Sequence, residues 1–294
     1  MNQFIQSLVD AISSGAVYGL AALGIGLVFG VMRLANFAHG ELITSSAYTL
    51  VLAWHLGPFI AIALSLVVPV ALALLMEVSV FRHLRSANPA TLLIASFGLS
   101  FLLQSVFQDL FGSSARSAPV ATGLARSVSV LGIQLKLLSV VTIVLAAVLL
   151  LALQLFLTRT QVGLQVQAAS ADFRMARLLG VRANRVIMLT FALSGLLAAP
   201  VAFVQTVQGV QVINTFGAPV TILALIGAVI GGIDRLNGAL LGGFIVGFVF
   251  SELRSYLPLN LTSLAEVFVF LLVILMLVVR PSGLLAAGGA VERT

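Results

Sequence analysis

The chain has 294 residues, is 61% hydrophobic and only 8% charged, and has a mean hydropathy of +1.19, which excludes a soluble globule because too little polar surface exists to cover one. Its net charge of +6 sits in short loops between apolar runs, a distribution that the positive-inside rule explains and nucleic-acid binding does not. The absence of cysteine excludes disulfides and thiolate metal sites, and the single lysine, Lys136 in IQLKLL, leaves no place for a Gly-rich nucleotide loop ending in GK[ST].

Taken in order, the apolar runs are about twenty residues long, enough to cross a bilayer as helices, and lack the alternation of a membrane barrel. MNQFIQSLVD carries no Lys or Arg to serve as a signal peptide's basic region, so the first run, Phe4 to Met32, is expected to remain in the protein. Its Gly15/Gly19 and Gly26/Gly30 pairs have the small-xxx-small spacing that lets helix backbones approach closely. Next comes RLANFAHGEL, then Leu42 to Trp54, a segment too short for a hydrocarbon core of about 30 Å. The Asn36 to Glu41 turn is therefore expected to dip into the membrane, where non-helical backbone is tolerated only beside protein or a water-filled cavity. Asn36, His39 and Glu41 become candidate pathway residues, since ionisable groups at that depth are costly to desolvate; the alternative is a turn at the water interface with Arg33 as a loop charge or partner for Glu41.

A third span, Pro58 to Val80, ends in FRHLRSANP, with Glu77 one turn before the loop and within reach of water or Arg82. Asn88-Pro89 breaks the chain before a fourth span, Ala90 to Leu110. Phe111 to Leu135, ending in the alternating SVSVLGIQL, predicts a small hairpin or a surface helix. The fifth span, Leu137 to Leu157, leads into the one substantial polar island, Arg159 to Arg185, which holds five of the fifteen basic residues. Within it, Ser170 is predicted to cap a helix over Ala171 to Leu179, with Asp172 in the first turn and Gly180 at its end. Ala171, Met175, Leu178 and Leu179 share one stripe, Arg174 and Arg177 lie beside it, and Phe173 falls opposite; such a helix either lies on the membrane surface or presents Phe173 as a knob to a partner.

The sixth span, Val186 to Val207, contains Pro200, expected to kink it, and is followed by a link bearing Gln205, Gln208, Gln211 and Asn214. Two Gly-rich segments, Pro219 to Ile233 and Ala239 to Leu253, carry Gly227/Gly231, Gly238/Gly242 and Gly243/Gly247, spacings that suit either a subunit or pore interface or packing within the bundle. Arg235-Leu236-Asn237 echoes Arg33-Leu34-Ala35-Asn36, a hint of internal duplication. A last span, Ser263 to Val279, ends at Arg280. The reading is an all-α, polytopic membrane bundle forming one domain over residues 1–294, with nine crossings and the N-terminus outside, or eight if the Asn36 turn is re-entrant. Arg82 to Arg85, the island and the tail are expected inside, and Ser113 to Arg126 outside.

Six stretches in this order resemble the permease family of ATP-binding-cassette importers for branched-chain amino acids, and more closely its smaller permease subunit: NFAHGE from Asn36, LIASFGLSFLLQ from Leu93, D-x-x-x-A-x-L-L-G-V from Asp172, RVIxLTF from Arg185, GGI-x-x-x-x-GAxxGG from Gly231 and RPSGLL from Arg280. The resemblance spans nearly the whole chain, with Phe111 to Leu135 the exception. It implies a multi-pass protein of the bacterial inner membrane, a second homologous permease, two ATPase subunits holding ATP and Mg, and a periplasmic or lipid-anchored binding protein that delivers substrate. It also implies that Gln165 to Val181 carries a coupling helix, through Asp172, Phe173, Arg174, Ala176, Arg177, Leu179 and Gly180. No catalytic residue, metal site or cofactor is expected on the chain itself. Relatives of this family are associated with urea or short amides, so that substrate stands as the alternative to an apolar amino acid. A reading from another class, an ion-coupled carrier or channel, would draw on Glu41, Glu77, Asp109, Glu252 and Glu266, most of them near predicted span ends. A scaffold that only anchors partners suits the broken, Gly-rich helices less well.

Overall fold

A computed structural model describes residues 2–85, 87–130, 133–233 and 235–279. The RPSGLL stretch and the tail after it lie outside the described residues, as does Asp234 within the Gly231 to Gly243 motif. The chain folds as a helical bundle of α1 (Asn2–Met32), α2 (His39–Ala53), α3 (Pro58–Met76), the one-turn α4 (Arg82–Leu84), α5 (Pro89–Phe111), α6 (Leu137–Arg159), α7 (Gln161–Ala171), α8 (Phe173–Leu178), α9 (Ala183–Val207), α10 (Ala218–Gly231), α11 (Leu236–Tyr256) and α12 (Ala265–Val279). A five-residue π-turn, Glu77–Phe81, joins α3 to α4 as one long span. Between α5 and α6 the alternating stretch forms the hairpin, β1 (Ser127–Val130) against β2 (Ile133–Lys136), antiparallel.

Among the described residues seven helices are long and apolar enough to span a membrane, while α2 at 15 residues and α10 at 14 fall short. The nine passes expected from the apolar segments are therefore seven full spans and two short helices. Both short helices have most of their residues buried, so protein surrounds their polar ends where lipid would not tolerate them. At the centre stands α1, packed by α11, α9 and α10. Glycine lets these backbones meet. A Cβ at Gly15 would come within 2.8 Å of the Phe244 carbonyl, and one at Gly19 within 3.2 Å of Leu240. Cβ atoms at Gly231 and Gly242 would overlap the carbonyls of Gly238 and Gly227, and Gly243 leaves no room beside Gly227 and Ala22. These glycines pack the chain's own helices.

Helix ends follow local chemistry. Asn88 caps α5 by accepting from the Thr91 amide at 2.8 Å, with Pro89 in the first turn. The first helix closes at Met32 because Arg33 takes a left-handed conformation, φ 54°, which turns the chain back into the bundle. Arg82, Arg85 and the α7–α8 segment share one face of the bundle, where Arg85 hydrogen-bonds Asn184 at the start of α9; the hairpin, the Arg116–Val212 bridge and the Asp10–Lys136 pair occupy the other. The positive-inside rule assigns the first face to the cytoplasm. The Arg235 and Arg33 segments, alike in sequence, differ locally: Leu236 begins α11 at once, whereas Leu34 to Asn36 remain non-helical.

Candidate functional site

The return of the chain after Arg33 sets the depth of the polar groups. The Asn36 side chain accepts from the Ala38 amide at 3.1 Å, forming the Asx-type turn from which α2 starts at His39. His39, Gly40 and Glu41 are thus the first helical turn rather than part of the non-helical connection. His39 Nδ1 lies 3.0 Å from Ser194 Oγ, and its ring packs against Gly24. Glu41 Oε1 accepts from Ser100 Oγ at 2.8 Å and Gln104 Nε2 at 2.9 Å. Ser100 is the midpoint of the 23-residue α5, so at 1.5 Å per residue it lies about 17 Å from either end. Glu41 is therefore near the middle of the bundle, and Ser194, close to the midpoint of α9, puts His39 at the same level.

The second short helix starts beside it. Thr44 Oγ1 accepts from the Gly217 amide at 3.0 Å and donates to the Gly40 carbonyl at 3.0 Å, and Gly217 and Gly40 approach so closely that neither can carry a side chain. From this junction α2 rises to the outer face and α10 descends to the inner one, with their N-terminal amides converging. Asn36, His39 and Glu41 are all buried. Among the described residues, Asn36 Nδ2, His39 Nε2, Glu41 Oε2 and Thr221 Oγ1 are buried without a hydrogen-bond partner. Unsatisfied polar atoms at this density are expensive, and helix N-termini add positive partial charge. The arrangement is a polar joint between two halves of the bundle, able to bind a polar group or to change partners when the halves move.

Arg33 is exposed and lies 6.0 Å from the Phe29 ring centre; the groups that hold the Glu41 carboxyl are Ser100 and Gln104, which the sequence reading did not single out. Their signal is periodic: Ser96, Ser100, Gln104 and Gln108 recur every four residues and line one stripe of α5. Ser96 bonds the Asn36 loop and Gln108 bonds Asn214, so this stripe runs through most of the membrane's depth. Glu77 is fully buried and does not reach water; it is ion-paired with Arg82 at 2.8 Å and with Arg85. Asp109, Glu252 and Glu266 lie toward the outer ends of their spans, away from the joint.

The polar island differs from the expected single helix. It is two helices broken at Asp172, whose extended backbone (φ −150°, ψ 102°) and carboxylate, accepting from the Met175 amide at 2.8 Å, make it the N-cap of α8. Ser170 instead donates to the Gln167 carbonyl inside α7. Gly180 ends α8 with φ +89°, and the Gly180→Arg177 and Val181→Ala176 bonds complete a Schellman closure. The stripe is reversed in orientation. Ala176 is buried and Phe173 packs against the core, whereas Met175, Leu178 and Leu179 are exposed, the last two by 77% and 78%. Phe173 is a root of the helix rather than its knob. Arg174 and Arg177 lie together along one side of the exposed stripe.

Comparison with known proteins agrees with this architecture. Residues 7–279 match the family model described as branched-chain amino acid transport system, permease component. The chain is 29% identical to the high-affinity branched-chain amino acid transport system permease protein BraD of Pseudomonas aeruginosa, over 96% of this chain and 95% of that one. It is 30% identical to the permease protein LivH of Escherichia coli K12, with the same coverage of each, and 25% identical to a probable LivH of Methanocaldococcus jannaschii over 81% of this chain and 77% of the other. Among solved structures, PsaBC from Streptococcus pneumoniae in complex with Fab superposes with a TM-score of 0.52 at 14% identity, covering 92% of this chain and 91% of that one, a likeness of fold.

Proposed function

The chain belongs to the family of branched-chain amino acid transport permeases, and we propose that it carries branched-chain amino acids inward through the joint between α2 and α10. It is a multi-pass membrane transport subunit of an importer, not an enzyme. The observation that carries the proposed route is the meeting of two short helices at mid-depth around Asn36, His39 and Glu41, where four buried polar atoms lack partners. In broken-helix transporters such a midplane junction receives the polar end of a substrate, and the two half-bundles rock about it. In this reading a homologous permease completes the membrane core, two ATPase subunits bind and hydrolyse ATP, and a binding protein presents the substrate at the outer face. The exposed Met175 and Leu178 of α8 and Leu179 at its end, with Arg174 and Arg177 to one side, supply an apolar anchor beside a charged edge for an ATPase groove. Calorimetry of the cognate binding protein against leucine, isoleucine, valine and urea tests the substrate: binding of the three amino acids supports the assignment, and binding of urea alone replaces it with an amide permease.

A further inference from the structure

A cavity of about 630 Å³ opens at the outer face between α1, α6, α11 and the start of α12. Phe216, just before α10, and Pro219 and Val220 in its first turn line the cavity, and Gly217 between them lies against Gly40. The cavity therefore ends about one helical turn from the midplane joint. Its volume is in the range of small-molecule sites.

The walls combine charges of both signs with an aromatic surface. Asp10 is already occupied: Oδ2 accepts from Lys136 Nζ at 2.7 Å and Oδ1 from Ser139 Oγ at 2.6 Å, so this trio fixes the rim. Arg254 and Glu266 also line the cavity, and Arg254 lies 5.5 Å from the centre of the Phe250 ring. Phe250 in turn meets Tyr18 edge to face at 5.9 Å, giving an apolar wall continuous with Val17 and Val220. A purely anionic ligand would leave Glu266 opposed, and a purely cationic one Arg254. A zwitterion with a short apolar side chain satisfies both charges and the wall together.

We infer that this cavity is a receiving site for α-amino acids, in which Arg254 takes the carboxylate, Glu266 the ammonium, and Tyr18 and Phe250 the side chain. The inference rests on the amino acid importer reading and adds to it a place where substrate is held before the α10 start moves. An arginine forms two parallel hydrogen bonds to a carboxylate, which fixes the ligand's orientation at the rim.

Because the chain has no cysteine, a Ser251→Cys variant offers one thiol on the cavity wall. The experiment measures its reaction with maleimide in the purified transporter, with and without saturating leucine, with leucinamide and 4-methylvalerate as ligands each lacking one charge, and with a panel of other α-amino acids. Leucine is expected to slow labelling severalfold while the two single-charge analogues do not, and adding Arg254→Gln or Glu266→Gln removes the protection. Equal labelling with and without every amino acid, or equal protection by 4-methylvalerate, overturns the inference. Leucine uptake by the unmodified transporter, measured in parallel, separates the two readings: uptake without protection overturns the cavity site alone, whereas protection by another amino acid without leucine uptake overturns the branched-chain assignment alone.

Discussion

Glu41 and Glu77 are both fully buried carboxyl groups, yet their surroundings predict opposite responses to the same substitution. Glu77 is bonded by two part-buried arginines at the cytoplasmic end of α3, so Glu77→Gln leaves their charge uncompensated and is expected to cost about 1.5–3 kcal/mol, the range for a hydrogen bond to a charged group. Glu41 has one oxygen held by Ser100 and Gln104 and one without a partner, so its amide isostere keeps the existing bonds and removes a poorly solvated carboxyl. Thermal unfolding in detergent should therefore fall clearly for Glu77→Gln and stay level or rise for Glu41→Gln; a large fall for Glu41→Gln would make that residue a structural pin. At this scale the sequence exposed the ionisable residues, because a charge inside an apolar run is conspicuous. It hid their partners, since Ser100, Gln104 and Ser194 are uncharged and only the four-residue spacing of Ser96, Ser100, Gln104 and Gln108 points to the first two. The pairing of Glu77 with Arg82 was one of its two expected outcomes, and only the second arginine, Arg85, went unforeseen.

Elements were legible where local chemistry decided them. Asn88-Pro89 and Gly180 mark a break and a closure directly, and the alternating SVSV and IQLK segments narrow the loop to a hairpin or a surface helix, of which the hairpin forms. The α7–α8 break was not, because two nearby residues, Ser170 and Asp172, are both good caps, and the choice depends on α7 continuing to Ala171 against α1 and α9. The direction of α8 was likewise set by tertiary contact: the wider apolar stripe faces out, and Phe173 with Ala176 anchors the helix. Asp172→Ala should weaken this helix by about 1 kcal/mol through loss of its cap, seen as faster amide exchange over Arg174 to Leu178. For docking, Leu178→Ala with Leu179→Ala is expected to reduce capture of the ATPase subunits more than Arg174→Ala does, because buried apolar anchors contribute more than rim charges. Equal capture by the leucine variant would assign α8 to the lipid surface. Between α10 and α11, Gly231→Ala places a Cβ into the Gly238 carbonyl and should cost about 1–3 kcal/mol by overpacking, measured by the same thermal assay.

At the scale of the whole molecule, the described residues give seven full spans and two partial ones, and with the positive-inside rule this arrangement predicts the N-terminus and the hairpin outside and the α7–α8 segment inside. Thiols introduced as Ser113→Cys and His83→Cys test this in intact cells: an impermeant maleimide should label the first and spare the second, and the reverse pattern would invert the bundle. The number of apolar segments was readable, and so was the shortness of the second; that α10 also stops partway was not, because hydropathy reports length and composition while the start of α10 depends on Gly217 meeting Gly40 and Thr44. The central claim is that branched-chain amino acids cross at the joint those residues form. ATP-driven uptake of radiolabelled leucine into vesicles containing the complete transporter tests it most directly, comparing the unmodified chain with Glu41→Gln at equal reconstitution and equal ATPase docking. Saturable uptake that falls about tenfold or more in the variant, a rise of about 1.4 kcal/mol in the transport barrier, is the predicted result; absent uptake in the unmodified chain, or unchanged uptake in Glu41→Gln, would contradict the account.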